Sequence, residues 1–417
     1  MKNIIIFYQS INRELDSCLI FKKKLKELYK ITAHVLSIDF EHYKAVRLSK
    51  KIKIDMLIIP WMYQESNYAL LQPILKQNQN MIIVNLHHEQ IGSEASYGRL
   101  LPTGENAKNS VIHFVWGEFF EKKLIEVGVK KNFIFKTGNI RTDTAFTTKT
   151  TRQMLAREFK LDPNKVWILF AENRGWILTN NSKKEEHMVY LGYTPDDVKD
   201  RTRITKESLD ATINEFNELD DDFFNDFEII YRPHPGTNAP ENINKRIKII
   251  DKYSIYEWIN SIDVNVVWTS TSIFESDIKN IPSFVYEPIK NLKRHRTSGL
   301  EYYPKINRFS DLNKDLIIKC KNKLKEEKIY ERYLGKVDGK SIERSCKVIN
   351  KLLNNRIDGY SPNLMPYDKY GHYKRLCFQL VTKLLVRLKL LDIFKYPRSA
   401  YELRKDIPYG KKIYSIK

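Results

Sequence analysis

Asn3-Ile4-Ile5-Ile6-Phe7-Tyr8 opens the chain with a short apolar run. Such unbroken runs are typical of strands buried on both faces, as in a parallel sheet that helices cover on each side. Similar runs recur over the first 145 residues and alternate with amphipathic stretches. They predict further strands at 33–38, 55–60, 81–86, 112–116 and 133–137, and helices near 12–29, 67–77 and 118–127. This alternation predicts a doubly wound α/β fold.

A second alternating series follows the Thr-rich segment 142–151, where we place a hinge. It predicts strands at 166–170, 227–231, 264–268 and 283–286, helices near 206–219, 255–261 and 270–279, a polar insertion at 173–205 and a charged helical region at 311–355. We therefore predict two Rossmann-like domains, 1–150 and 151–355, facing one cleft, with a basic helical tail at 356–417. Ligands of such folds lie at the carboxyl ends of the strands.

Composition excludes several classes of protein. The 417 residues are 42% hydrophobic, which is too apolar for a disordered chain. The sequence contains no run of 18 apolar residues, so no membrane-spanning helix is predicted, and the first apolar run is too short for a signal peptide. The four cysteines form no C-x-x-C pair and have no zinc spacing. These features favour a reducing cytoplasm and argue against a disulfide scaffold or a structural metal.

The positive charge is concentrated at the end of the chain. Lys and Arg exceed Asp and Glu by 71 to 51, a formal charge of +20, and residues 370–417 hold 12 basic against 3 acidic residues. Apolar residues recur there with helical spacing, at 377, 381, 384, 385, 388 and 391. Such a helix either lies on an anionic membrane or packs on the protein's own core. Nucleic acid is not expected as a partner, since no zinc finger, basic zipper or RNA-binding signature is present.

Two polar clusters directly follow strands of the second series. In Tyr231-Arg232-Pro233-His234-Pro235-Gly236 the prolines stiffen a loop whose Arg232 and His234 suit phosphate oxygens. In Trp268-Thr269-Ser270-Thr271-Ser272 a strand leads into hydroxyls at a helix start, where backbone N–H groups favour an anion. The plainer alternatives are a rigid surface turn and an ordinary helix cap.

Glu275, one turn into the helix near 270–279, is placed to bind ribose hydroxyls, or else pairs with the helix dipole. Asn173 and Arg174 follow the strand at 166–170 and are candidates for the leaving phosphate. In the first series Leu86-His87-His88-Glu89-Gln90 also follows a strand. Its imidazoles and carboxylate suit proton abstraction, with Glu89 the first candidate base and His88 the second, unless the loop is merely solvated. No third ligand is spaced for a metal, so none is expected.

The order of these motifs resembles the C-terminal half of GT-B glycosyltransferases. Glu275 and Pro282, seven positions apart, are similar to the E-x7-P element that holds the donor nucleotide in that superfamily, with Asn280 where glycine is usual. The His-Pro pair resembles that of sialyl and Kdo transferases, which use CMP-sugars. R-x-H-P before a Ser-rich helix start also resembles CDP-glycerol glycerophosphotransferases of wall teichoic acid synthesis.

Gly138-Asn139-Ile140-Arg141-Thr142-Asp143 resembles the G-N-P-R-x-D element of bacterial surface-carbohydrate biosynthesis proteins. Asn139 and Arg141 are expected either to face the cleft or to form a turn in which Arg141 pairs with Asp143. The resemblance covers about residues 80–290 and leaves 300–417 without a match.

The resemblance implies an enzyme: a glycosyltransferase that moves a sugar from a nucleotide-activated donor, with CMP or CDP favoured, to a polysaccharide or lipid-linked acceptor. The first domain would hold the acceptor, and the second the donor, without a cofactor or divalent metal. Capsule or lipopolysaccharide synthesis at the inner face of the plasma membrane, with the tail 372–417 on the anionic surface, is the expected setting. A CDP-glycerol or CDP-ribitol polyol-phosphate transferase and a nucleotide-sugar epimerase are the alternatives.

Overall fold

The computed structural model of the chain describes residues 2–173, 185–186, 188–189, 193–234, 239–355, 357–366, 369–388 and 390. These residues form two parallel six-stranded sheets, ordered β2-β1-β3-β4-β5-β6 and β12-β11-β10-β7-β8-β9 in space, with strands numbered along the chain. Helices flank both sheets. The prediction of two Rossmann-like α/β domains is confirmed.

The first sheet contains β1 to β6, which are Asn3–Tyr8, Thr32–Ser37, Met56–Ile59, Ile82–Asn85, Ile112–Val115 and Ile134–Lys136. A π-helical turn at Ile11–Leu15 precedes the first α-helix. The helices of this part are Asp16–Tyr29, His42–Ser49, Glu65–Ala69, Gln72–Leu75, Glu94–Leu100, Glu105–Asn109 and Glu118–Glu126.

The second sheet contains β7 to β12, which are Val166–Ala171, Phe227–Arg232, Lys248–Ile249, Val264–Val267, Ser283–Tyr286 and Lys305–Ile306. Its helices are Arg152–Phe159, Pro195–Glu218, Asp221–Asp226, Ile255–Trp258, Ser272–Asp277, Lys314–Glu327 and Tyr330–Leu334. Two further helices follow, Ser341–Asn354 and Lys369–Arg387. None of the helices in the described part of the chain is long and apolar enough to cross a membrane.

Both faces of β1 are buried, which explains its unbroken apolar sequence. Ile4 and Ile6 pack with Phe21 of the first helix in one core cluster, whereas Ile5 and Phe7 belong to the cluster on the opposite face. Strand β8 has the same arrangement in the second sheet, since Ile229 and Ile230 lie in different clusters. Helices therefore cover each sheet on both sides, and the carboxyl ends of the strands stay available for a site.

Two predicted helices differ from those observed. The helix expected at 67–77 is split in two, and Pro73 lies in the first turn of the second piece, the part of a helix that tolerates proline. The helix expected at 206–219 begins at Pro195, because the Thr194 side chain accepts a hydrogen bond from the Asp197 N–H at 3.0 Å and caps it. The end of the predicted insertion is therefore helical.

The helix Ser341–Asn354 returns to the first domain. We predicted that 151–355 forms the second domain, but Ile342, Cys346 and Ile349 are buried in the core beside β1. Just before this helix, Gly335 has φ = 72°, and a Cβ there would overlap the backbone carbonyl of Trp116. The two domains are thus tied by a crossing segment in addition to the link at 142–151.

Candidate active site between the domains

Loops from the two domains are hydrogen-bonded to each other across the cleft. The Ser298 N–H donates to the Gly92 carbonyl at 2.9 Å, next to a single antiparallel bridge between Ser93 and Thr297. The Thr297 hydroxyl in turn donates to the Thr269 carbonyl at 2.8 Å. The loop after β4 and the segment after β10 are therefore linked through Thr297.

His88 faces a buried carboxylate that the sequence analysis did not identify. Its Nε2 lies 3.8 Å from Oε2 of Glu14, in the π-helical turn after β1. That oxygen also accepts the backbone N–H groups of Gln9 and Ser10, at 2.7 and 3.3 Å. Burial lowers the pKa of His88 to about 4, although Glu14 acts in the opposite direction. The imidazole is therefore neutral at pH 7, and its Nε2 is buried with no hydrogen-bond partner among the described residues.

Glu89 is ion-paired rather than poised as a base. Its carboxylate lies 3.1 Å from Nη1 of Arg13 and 3.5 Å from Nη1 of Arg99. Desolvation raises its pKa, but the two guanidinium groups outweigh this and lower the pKa to about 2. A general base works best with a pKa near the operating pH. The first choice for the base, Glu89, is therefore less suited to that role than His88.

His87 is fully buried, against His113 of β5. Its ring nitrogen Nε2 is 2.7 Å from Nδ1 of His113, and its φ of 46° turns the backbone sharply. Burial keeps the pKa of His87 well below the usual value, so the ring is neutral. Within the described residues no cluster of three metal-ligating side chains occurs, here or elsewhere.

The edge of the second sheet carries amides and hydroxyls. Asn173 Nδ2 donates to the Thr269 hydroxyl at 2.8 Å. The backbone N–H of Ser272 donates to Oγ of Ser270 at 3.2 Å, and Oγ of Ser272 is buried with no hydrogen-bond partner among the described residues. The helix that starts here spans only Ser272–Asp277, shorter than the predicted 270–279. Thr271 is its N-cap residue but makes no side-chain capping bond.

Glu275, in the same helix, is directed at the neighbouring helix Ile255–Trp258. Its Oε1 accepts a hydrogen bond from the Tyr256 hydroxyl at 2.9 Å. Burial raises the pKa of Glu275, and the Arg141 guanidinium and the tyrosine hydroxyl limit that rise. One carboxylate oxygen is thus engaged with protein. The predicted contact of Glu275 with ribose hydroxyls stays a prediction.

Arg141 lies between the two edges. Its Nη2 donates to the backbone carbonyl of His88 at 3.2 Å, and its guanidinium carbon lies 5.3 Å from the Trp116 ring centroid. It acts electrostatically on Glu275 of the second domain, and its Nε is buried with no hydrogen-bond partner among the described residues. Its positive charge is therefore held beside the cleft.

Asp143 does not pair with Arg141, so the salt-bridged turn considered from the sequence is wrong. The Asp143 carboxylate instead accepts hydrogen bonds from the backbone N–H groups of Ser341 and Ile342, at 3.0 and 2.8 Å. It thereby caps the start of the helix Ser341–Asn354. This contact is what frees Arg141 to face the other domain.

Arg232 is directed at the backbone, which differs from the predicted phosphate contact. Its Nη1 and Nη2 donate to the carbonyls of Lys252 and Tyr253 at 3.0 and 2.8 Å, so it supports the turn before helix Ile255–Trp258. Burial lowers the pKa of Arg232 to about 10, and it remains charged at pH 7. His234 is partly buried at the end of β8, and its role stays a prediction. Arg174 lies outside the described residues.

Residues 232–234 and the Ser/Thr segment 269–272 share one edge of the sheet. Strands β8 and β10 both pair with β7, in parallel. Adjacent strands are about 4.8 Å apart, so the ends of β8 and β10 are separated by roughly 10 Å. A phosphate-bearing ligand bound over the end of β7 would be within reach of both.

No protein-family model matches the sequence, and no curated protein matches it. Solved structures do match. A variant of the wall teichoic acid polymerase TagF has a TM-score of 0.55 at 14% identity, over 85% of this chain and 89% of that chain. A protein of Listeria monocytogenes named as a UDP-N-acetylglucosamine 2-epimerase has a TM-score of 0.51 at 13% identity, over 86% and 99%. MnaA of S. aureus, solved with UDP, has a TM-score of 0.50 at 15% identity, over 88% and 100%.

Identities this low establish the fold alone. The chain has the two-domain GT-B fold, as its motifs predicted.

Proposed function

We propose that the protein is a glycosyltransferase that moves a sugar from a nucleotide-activated donor to a surface-polysaccharide or lipid-linked acceptor. The observation that carries the proposal is the meeting of two unlike edges in one cleft. The neutral His88 and its partner Glu14 belong to one domain, and the hydroxyl-rich segment 269–272 belongs to the other. Arg141 bonds to the His88 carbonyl and acts electrostatically on Glu275, in the helix that begins at Ser272.

The first edge supplies a proton acceptor. In the proposed reaction the acceptor hydroxyl gives its proton to Nε2 of His88 while its oxygen bonds to the anomeric carbon of the donor sugar. The Glu14 carboxylate, 3.8 Å away, stabilises the imidazolium that forms. His88 thereby takes the role that the sequence analysis gave first to Glu89.

The second edge receives the leaving group. As the bond between the anomeric carbon and the donor phosphate breaks, the electron pair leaves with the phosphate. Arg141 and the hydroxyls of Ser270 and Ser272 stabilise that negative charge without rearranging. A fixed guanidinium and oriented hydroxyls can do the work of a divalent cation, so the proposed reaction needs no metal.

A polyol-phosphate transferase is the second candidate, because TagF is among the structural matches. It would use the same phosphate contacts and the same base. The acceptor oxygen would then bond to phosphorus of a CDP-polyol, and CMP would leave. Nucleotide-sugar epimerisation, suggested by the Listeria match, would release UDP and need no acceptor hydroxyl.

A thermal-shift screen of the full chain against CMP, CDP, UDP, GDP and ADP tests the donor site. A ligand at about 100 times its Kd stabilises the folded state by about 2.7 kcal/mol, so the preferred nucleotide separates clearly from the others. Turnover assays with the sugar and polyol derivatives of that nucleotide then distinguish the candidates by product. If none of the five nucleotides raises the melting temperature, the proposed donor site is wrong.

A further inference from the structure

The helix Lys369–Arg387 rests on the first domain through its polar side. Gln379 and Thr382 are buried, at 1% and 0% exposure. Nζ of Lys383 lies 5.1 Å from the ring centroid of Tyr43, and the rings of His372 and His42 are 6.2 Å apart. These positions lie three, four or seven residues apart (379 to 382, 379 to 383 and 372 to 379), so they mark one face of the helix.

The opposite face is apolar and exposed to solvent. Helical spacing aligns its side chains in one row, which we call the outer stripe: Tyr370 (78% exposed), Tyr373 (62%), Val381 (49%), Leu384 (54%) and Leu388 (56%). A surface helix normally buries its apolar face against the protein. Exposed apolar patches of this kind mark places where another surface binds.

The segment before the helix is fixed to the first domain. The Asn363 N–H donates to the Tyr68 hydroxyl at 2.8 Å, and the Met365 N–H to Oε1 of Gln72 at 2.9 Å. These bonds anchor the chain a few residues before the helix begins.

The charge of the helix favours an anionic partner for the outer stripe. The helix contains five basic residues and no acidic one, and Lys369 and Lys374 are exposed beside the stripe. A second copy of this chain would bring like charges together, since the whole chain carries +20. An anionic lipid surface offers both an apolar layer for the stripe and negative charge for the lysines.

We propose that the helix Lys369–Arg387 lies in the plane of an anionic membrane, with the outer stripe inserted among the lipids and its polar face held by the first domain. Arg375 of this helix is under the electrostatic influence of Asp39, which follows β2 at the carboxyl edge of the sheet. Docking would therefore set the candidate cleft beside the membrane. That arrangement suits a lipid-linked acceptor, a point that rests on the proposed function.

Vesicle sedimentation of the full-length protein tests this docking. Vesicles of phosphatidylcholine with about a third phosphatidylglycerol should bind the protein, and pure phosphatidylcholine should bind it at least about tenfold more weakly. Leu384→Glu places a charge in the outer stripe and should reduce partitioning at least about tenfold. The matched control is Ile318→Glu on the helix Lys314–Glu327, because Ile318 is equally exposed, at 57%, but lies outside the stripe. It should bind within about twofold of the unaltered chain.

Two results would overturn the proposal. One is unchanged vesicle binding by Leu384→Glu, which would assign binding to another part of the chain. The other is a dimer, seen by sedimentation velocity without lipid, that Leu384→Glu dissociates, because a second copy would then cover the stripe. Since vesicle binding needs no catalysis, and Leu384→Glu should keep normal turnover of a water-soluble acceptor, failure here is distinguishable from failure of the proposed reaction.

Discussion

The carboxyl edges of the two sheets are built from different chemistry. The first holds ionisable groups that are buried or paired: His88 with Glu14, and Glu89 with two arginines. The second presents amides and hydroxyls between β7 and β10, from Asn173 to Ser272, while its arginine, Arg232, is bonded to backbone carbonyls. In our proposal one edge handles a proton and the other receives a phosphate. Because the nearby cation, Arg141, comes from the first domain, the second edge takes this positive charge from the other side of the cleft.

Lowering the pH should destabilise the first domain much more than the second, and this is the largest contrast that we expect. Burial lowers the pKa of His88 to about 4 and that of His42 and His113 to about 3, all in the first domain. Their folded pKa values lie below the unfolded value, so the stability that they contribute is present above about pH 6.5 and is lost as pH falls towards the folded values. At pH 5 each of these histidines lowers the free energy of unfolding by about 2 kcal/mol.

In the second domain His295 also has a lowered pKa because of burial, but its hydrogen bond to Asp197 opposes the shift. Hydrogen exchange at pH 7 and 5, corrected for intrinsic rates, should therefore show a much larger loss of protection in the sheet β1–β6 than in β7–β12. Equal losses in both sheets would contradict the comparison.

Removing the base should cost most of the activity. His88→Ala should lower kcat by about a thousandfold, within the range for a general base, while the donor Kd stays within about threefold. His34→Ala is the control, because His34 lies on β2 and is only partly buried. If His88→Ala kept a tenth or more of kcat, another group would have to take the proton.

Arg141→Gln should lower kcat/KM by about a hundredfold, the usual cost of removing one donor to a developing negative charge. Measured separately, donor binding should weaken less than turnover, since the charge grows in the transition state. The comparison variant is Arg232→Gln, whose guanidinium bonds to backbone carbonyls. It should lower the melting temperature, and it should reduce kcat/KM of the folded fraction much less than Arg141→Gln does.

Glu89→Gln should have a modest effect, about tenfold or less in kcat/KM, because its carboxylate is paired with Arg13 and Arg99. Kinetics at several pH values would check this, since a base with a pKa of about 2 leaves no inflection near neutrality. A loss as large as that of His88→Ala would restore Glu89 as the base.

Chelation should have the smallest effect. If Arg141 and the hydroxyls stabilise the leaving phosphate, assays with EDTA should retain the full rate, and added Mg²⁺ should not raise it. Loss of turnover that Mg²⁺ restores would show that the second edge lacks the charge we assign to it.

The strands and the loops that follow them were predictable, because an unbroken apolar run requires burial on both faces and parallel strands end at one edge. The same rule could have found Glu14, which follows β1 as His88 follows β4. The pattern of apolar residues instead places Glu14 inside the predicted helix near 12–29, whereas the structure has a separate π-helical turn at Ile11–Leu15. Nothing in the sequence indicates the direction of the Arg232 side chain.

The sequence by itself determined the two α/β halves, the basic tail and the polar loops at the strand ends, since these depend on local spacing of apolar and charged residues. Only the tertiary structure decided which charges meet. Glu14 reaches His88, Arg141 turns from Asp143 towards the second domain, and the helix Ser341–Asn354 packs on the first. Those contacts join residues distant in sequence, so they depend on the order of the strands in the first sheet and on how the two domains pack.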